Sequence, residues 1–178
     1  GRLADRTRLP PATDNARIIR TPRATRRPHP GWQRMRIVAG AYKSRRLRTL
    51  KGRHVRPTTD AAKESLFAIL RGQVPRARVL DLFAGSGSLG IEALSRGAAH
   101  VTFVDSSAAS LRTVRANLAD LGVPREQSNM IRLDARTALS QMLTAPDPFD
   151  LIFIDPPYDS TLAHEALQAV GYLFSSHC

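Results

Sequence analysis

Residues 151–159 read LIFIDPPYD, an apolar run that ends in a carboxylate, two prolines and a phenol. Proline fixes φ and lacks an N–H, so Pro156 and Pro157 make a stiff corner instead of a longer strand. Asp155, the carbonyls of that corner and the ring of Tyr158 then stand at one point. The set matches an exocyclic amine on a planar base, with the amine donating to the acceptors and the base stacking on the ring. A second cluster is GSGSLG, where Gly85, Gly87 and Gly90 hold the G-x-G-x-x-G spacing and Asp105 follows 20 residues after Gly85. The spacing alone is weak, because a tight turn explains it. Here it follows an apolar strand and opens a helix. In that context the glycines let a ligand approach the backbone, and the acid accepts both hydroxyls of a ribose. An adenosine-containing cofactor is therefore expected, with NAD(H) and S-adenosylmethionine both open at this level.

The elements that position these residues follow an α/β rhythm. RVLDLF (78–83), HVTFVD (100–105), NMIRLD (129–134) and FDLIFID (149–155) read as four strands. SLGIEALSRG, SSAASLRTVRANLADLG and ARTALSQML read as the helices between them, with Gly97 and Gly122 as stops. In the second of these helices Leu111, Val114, Leu118 and Leu121 should face inward. Strands apolar throughout that alternate with helices belong to a parallel sheet covered on both faces, a doubly wound Rossmann-like fold. Ligands of such sheets sit at the carboxyl ends of the strands. Asp81 lies within the first strand, and Asp105, Asp134 and Asp155 close the others. Any one of them could be a helix N-cap, yet acids at every crevice tip favour a polar ligand. Upstream, RPTTDAAKESLFAIL opens a helix capped by Thr59 or Asp60, with Ala62, Leu66, Ile69 and Leu70 on one face. MRIVAGAYKSRRLRTL gives two short β-prone pieces around AGAYKS, a hairpin carrying Arg36, Lys43, Arg45, Arg46 and Arg48.

Charge separates the chain into two parts. Its formal net charge is +12, and residues 1–60 hold 17 Lys and Arg against 3 Asp and Glu, while residues 61–178 hold 10 against 12. A near-neutral body behind a basic front third reads as a domain with a polyanion-binding arm. Residues 1–34 are Arg- and Pro-rich without a period and are expected to be disordered, an extension ahead of the first methionine, Met35. The single cysteine, Cys178, excludes a disulfide framework. His29, His54, His100, His164 and His177 are scattered without ligand spacing, so no metal is expected. Ser86 and Ser88 sit in the glycine turn with no histidine placed to activate them. No apolar run approaches the roughly 20 residues that span a bilayer, so the expectation is a soluble, cytoplasmic monomer.

Hydride chemistry has no use for the DPPY corner, and the chain ends too soon for a second mononucleotide half. Both points favour S-adenosylmethionine. DPPY resembles the motif of methyltransferases that act on nucleobase amines in the S-adenosylmethionine-dependent Rossmann-like superfamily. More narrowly, MRIVAGAYKSRRL, RPTTDAAKESLF, VLDLFAGSGSLGIEALSRGA, VTFVD and DLIFIDPPY together resemble the bacterial 16S ribosomal RNA guanine-N2 methyltransferases, over about residues 35–165. The resemblance implies that the turn from Asp81 through Phe83, Ala84, Gly85 and Gly87 to Gly90 cradles the methionine part of the cofactor. It places Asp105 and Ser106 at the ribose and Asp134 with Ala135 by the adenine. Asp155, Pro156, Pro157 and Tyr158 become the catalytic corner. Arg56, Pro57 and Thr58, with the basic hairpin, are expected to meet 16S rRNA or the assembling small ribosomal subunit. The domains implied are 1–34 as extension, 35–58 as RNA-binding hairpin and 59–178 as methyltransferase domain.

Two rival readings stand beside this one. A DNA adenine-N6 methyltransferase carries the same corner, and a basic RNA-binding protein could keep the fold without catalysis. After Asp159 only 19 residues remain, enough for the helix TLAHEALQAV, whereas the superfamily continues with three more strands. Truncation or a frame change near Val170 is therefore expected, leaving one flank of the sheet as an open edge.

Overall fold

The computed structural model describes residues 17–20, 35–50, 59–142 and 149–156, of which 17–20 and Met142 are described by their backbone. Five parallel strands form one sheet: β1 Arg17–Arg20, β2 Arg78–Leu82, β3 His100–Val104, β4 Ser128–Ile131 and β5 Leu151–Ile154, in the order β1-β5-β2-β3-β4. Among the described residues four α-helices accompany them: α1 Asp60–Ile69, α2 Ser88–Ser95, α3 Ala108–Leu121 and α4 Ala135–Met142. The chain runs from β2 to β3 and β4 on one side, then returns with β5 on the other side of β2. The crevice between the ends of β2 and β5 is thus the topological switch point. Leu82 stands opposite both Val104 and Ile154, and Val104 opposite Ile131. Phe83, Asp105, Arg132 and Asp155 therefore leave the sheet at one level.

Strand side chains alternate between faces, and the core divides accordingly. Val79, Val101, Phe103, Leu151 and Phe153 pack under α1, α2 and α3, while Leu80, Leu82, Val104, Ile152 and Ile154 pack with Ala138 and Leu139 of α4. The ends of α3 form as its sequence implies. Ser107 caps it by accepting from Ser110 N at 3.3 Å, and Gly122 closes it in a left-handed conformation, φ 70°. Val114, Leu118 and Leu121 are buried, and Leu111 packs half-buried against them. Thr59 caps α1, its hydroxyl accepting from Ala62 N at 3.1 Å.

Three expectations change and one is extended. The inward face of α1 is Lys63, Leu66, Phe67 and Leu70, and Ile69 is 74% exposed. A lysine takes the inward position because acceptors await it: its ammonium donates to the Arg36 carbonyl and lies beside a buried acid. Lys63 and Glu92 are both fully buried, with Nζ 3.9 Å from Oε2. Burial pushes the Lys63 ammonium below its ordinary range, which Glu92 and Asp60 oppose. Second, the basic segment forms a short hairpin as expected, bridging Arg36 with Arg46 while Ile37 N donates to Arg45 O at 3.0 Å and Leu47 N to Met35 O at 2.9 Å, and it is in addition bound to α2. Glu92 accepts from Val38 N at 2.8 Å and Ala39 N at 3.0 Å, and Ser95 O accepts from Ala41 N at 2.7 Å. Gly40, at φ 84°, lies so close to the Ser95 carbonyl that any Cβ there would collide with it. These contacts also explain why every residue of α2 is buried: the sheet lies on one side and the segment on the other. Third, disorder over residues 1–34 fails at Arg17–Arg20, which forms β1. Fourth, the flank of β5 expected to be open carries that strand, with Arg20 opposite Ile154. Pro157, Tyr158, Arg56, Pro57, Thr58 and the expected helix after Asp159 lie outside the described residues.

Candidate active site at the carboxyl edge of the sheet

After β2 the chain turns sharply. Phe83, Gly85 and Gly87 have φ of 68°, 56° and 80°, left-handed conformations that the two glycines adopt without the Cβ penalty Phe83 bears. Ala84 N donates to Val104 O at 2.9 Å and Gly87 N to Ala84 O at 2.7 Å, which ties the turn to the next strand. Ala84 and Gly87 are buried; Phe83 and Gly85 are half-buried at the crevice. Gly90 serves packing. A Cβ there would strike the Phe103 ring and stand 2.8 Å from Val101 and 2.9 Å from the Asp81 carboxylate.

The acids divide by role. Asp105 uses both oxygens on backbone, accepting from Gly85 N at 2.9 Å and Ser107 N at 2.8 Å, so its half-buried carboxylate is held at the mouth of the turn beside exposed Ser106. Each oxygen keeps acceptor capacity for a further donor. Asp81 is buried, 2% exposed, and accepts from Gly90 N at 2.9 Å, capping α2 from the sheet. Asp134 is exposed and caps α4, accepting from Thr137 N at 3.0 Å and Thr137 Oγ1 at 2.6 Å, bonds that hold its carboxyl below the ordinary range. Ala135 follows it, buried under the sheet. Asp155 and Pro156 stand half-buried at the end of β5, across the switch point from Asp81.

Burial pushes the Asp81 carboxyl up to about 8, opposed by the Gly90 N–H and reinforced by the negative charges of Asp155 and Asp105. The crevice thus gathers three acids around one point. Such a field suits a cationic ligand. The same shift sets a pH dependence. Between the ordinary 3.8 and about 8, the unfolded chain has lost a proton that the folded chain keeps. Stability therefore falls as pH rises through that window, by at most about 1.4 kcal/mol per pH unit, and levels off above it. Asp81→Asn keeps an acceptor for Gly90 N–H and should flatten this slope in urea titrations from pH 5 to pH 8. An identical slope in the variant would mean that Asp81 is ionised throughout.

The basic residues are not equivalent. Arg48 forms a two-pronged pair with Asp120, at 2.8 and 3.1 Å, and Arg45 donates to Asp120 O at 2.7 Å. Arg36 pairs with Asp60 at 2.7 Å. Lys43 and Arg46 are exposed and make no such contact among the described residues. Tyr42 packs half-buried against the core. Among the described residues no group of three His, Cys, Asp or Glu could hold a metal, and no helix is long and apolar enough to cross a membrane.

The family model described as Conserved hypothetical protein 95 matches residues 35–173. The chain belongs to this family. Its relatives include the candidate rRNA methyltransferase YlbH of Bacillus subtilis, 44% identical over 152 residues that cover 80% of this chain and 82% of that protein. Ribosomal RNA small subunit methyltransferase D of Haemophilus influenzae is 40% identical over 133 residues, covering 75% and 68%. Among solved structures, the candidate methyltransferase yhhF of Escherichia coli superposes with a TM-score of 0.67 at 33% identity, covering 77% of this chain and 72% of that one. The sheet with helices on both faces is thus the Rossmann-like arrangement of methyltransferases. The match begins at Met35, so the family region takes in the basic segment and leaves out β1.

Sequence reading missed Glu92, Ser95 and Asn117, which fasten the basic segment to the site. Glu92 did leave a signal: it is the one charge in a helix otherwise made of small and apolar residues, SLGIEALS. A helix apolar all round is buried, and an acid within it needs partners. Asn117, in RANLAD between Arg115 and Asp120, left none.

Proposed function

We propose that this chain transfers a methyl group from S-adenosylmethionine to the exocyclic N2 amine of a guanine in small-subunit ribosomal RNA. One juxtaposition carries the reading: the Asp155–Pro156 corner stands across the switch point from the Asp81–Asp105 crevice, in a chain of a family whose relatives are named for that RNA. Asp105 would hold the ribose, the 83–87 turn the methionine part, and Asp134 with Ala135 the adenine side. The acidic crevice fits the ammonium and sulfonium charges of this cofactor. When bound, the sulfonium supplies an electrophilic methyl group.

The residues of the corner contribute position and charge. An aromatic amine is a poor nucleophile because its lone pair is delocalised into the ring. Hydrogen bonds to the Asp155 carboxylate and the Pro156 carbonyl favour a pyramidal nitrogen, and a carboxylate stabilises the positive charge that develops there. The base must leave its stack to reach the corner, and Tyr158 offers a replacement face worth about 1–3 kcal/mol. An RNA substrate of this kind places the activity in the cytoplasm.

The test is methyl transfer from labelled cofactor to purified 16S rRNA, assembled small subunits and duplex DNA, with nucleoside mass spectrometry of the product. N2-methylguanosine in the RNA samples is expected, and N6-methyladenine in DNA would overturn the reading. Asp105→Ala should weaken cofactor binding by about 1–3 kcal/mol, as a lost charged hydrogen-bond acceptor does; unaltered affinity in calorimetry would remove Asp105 from the site. For RNA, the cations without an ion pair among the described residues matter most. Replacing Lys43 and Arg46 by alanine should lower the salt slope of RNA binding by somewhat under one unit for each phosphate that is no longer neutralised. An unchanged slope would point this surface away from RNA.

A further inference from the structure

We infer that Asn117 is a positioning residue through which the basic segment and the cofactor turn act on one another, an inference that rests on the function proposed above. Asn117 lies in the middle of α3 and is 1% exposed. Its carboxamide is fully used. Oδ1 accepts from Arg48 N at 2.7 Å, and Nδ2 donates to Arg48 O at 3.2 Å and to Ser86 O at 2.9 Å. An N–H only donates and a carbonyl only accepts, so the three partners determine which way the amide faces. One side chain therefore grips both backbone groups of a residue in the basic segment and a carbonyl of the glycine turn.

The gripped carbonyl is a sensitive one. The Ser86–Gly87 peptide leads into left-handed Gly87, where no Cβ restrains its C-terminal side, and left-handed Gly85 precedes Ser86. Both of its ends are pinned: Gly87 N donates to Ala84 O, and Ser86 O accepts from Asn117. Gly85 N, just before it, donates to Asp105. The plane of this peptide thus sets how the turn and Asp105 face a cofactor. A second link runs the same way, from the Ser86 hydroxyl to the Met35 sulfur at 3.3 Å. On the other side, Arg48 also reaches α3 with its guanidinium, through Asp120 one turn beyond Asn117. Phosphate binding along residues 36–48 would hold the Arg48 backbone, and with it Asn117 and the turn. Coupling of this kind is reciprocal: RNA should tighten cofactor binding by the factor by which cofactor tightens RNA binding.

The experiment uses the full chain, with S-adenosylhomocysteine affinity measured by calorimetry with and without a saturating RNA fragment that the enzyme methylates. RNA should tighten binding about fivefold or more in the unaltered protein. In Asn117→Ala the KM for S-adenosylmethionine should rise about tenfold, as for part-buried backbone groups that lose a partner. Its kcat should change less than about threefold, the split expected of a binding defect, and the effect of RNA on affinity should vanish. Asn117→Asp is the second variant, since it keeps the acceptor for Arg48 N while opposing the two carbonyls with a carboxylate. It should bind RNA as before and lose the coupling. A lowered melting temperature with KM and coupling intact in either folded variant would make Asn117 merely structural and overturn the inference. An unaltered enzyme that methylates RNA but whose cofactor affinity ignores RNA would overturn it too, whereas failure to methylate RNA overturns the proposed function itself.

Discussion

Asp155→Ala should reduce turnover by roughly 10²–10³, the loss typical of one preorganised polar group at a reacting centre. The reason lies in where β5 ends. Leu151–Ile154 is fully buried on both faces, so the next residue is delivered to the crevice by a strand that cannot shift without disturbing the core. Pro156 then removes the backbone freedom by which a neighbour could take over. Alanine leaves the amine without its charged acceptor, and water in its place is mobile and brings no fixed charge. Cofactor affinity should change little, because Asp105 and the turn lie on the far side of the switch point. Single-turnover rates at saturating cofactor, paired with calorimetry, separate the two effects. Near-normal turnover would exclude Asp155 from the chemistry.

Glu92→Ala should cost about 3–5 kcal/mol of folding stability, the range for removing one partner of a buried ion pair. Four groups depend on this carboxylate: Lys63 in α1, the backbone N–H groups of Val38 and Ala39, and Arg96 at 2.8 Å. Truncation removes the acceptor of two half-buried backbone donors and of Arg96, and leaves the buried Lys63 ammonium with only the Arg36 carbonyl and, at 3.9 Å, Asp60. The double change Lys63→Met with Glu92→Leu removes the charges but still leaves Val38 N and Ala39 N unpaired, so it should recover only part of the loss. Denaturant midpoints with unchanged slope measure both. A single-variant loss under about 1 kcal/mol would mean that water reaches the pair.

The parallel strands, the helices between them and the acids at their ends could all be read along the chain. Continuous apolar runs such as VTFV and LIFI are legible because burial on both faces demands them. Gly122 and Ser107 mark helix ends through local backbone and capping chemistry. Reading failed where the deciding partner was distant. Ile69 looked inward by spacing, yet Lys63 took that face because Glu92, in another helix, could receive it. The basic hairpin was legible, but its fastening to α2 and α3 through Glu92, Ser95 and Asn117 was not. Arg45 and Arg48 looked equivalent to Lys43 and Arg46, and only the position of Asp120 distinguishes them.

By itself the amino-acid order determined the strand–helix alternation and the acids and glycines at the strand tips, because these depend on periodicity and short-range backbone preference. Tertiary structure alone decided which acid is buried and proton-bearing, which arginines are already paired, and which side chains join the basic segment to the glycine turn. Those properties depend on desolvation and on partners far along the chain, as for Glu92 with Val38 and Asn117 with Arg48. Only the folded packing brings such groups within a few ångströms of one another.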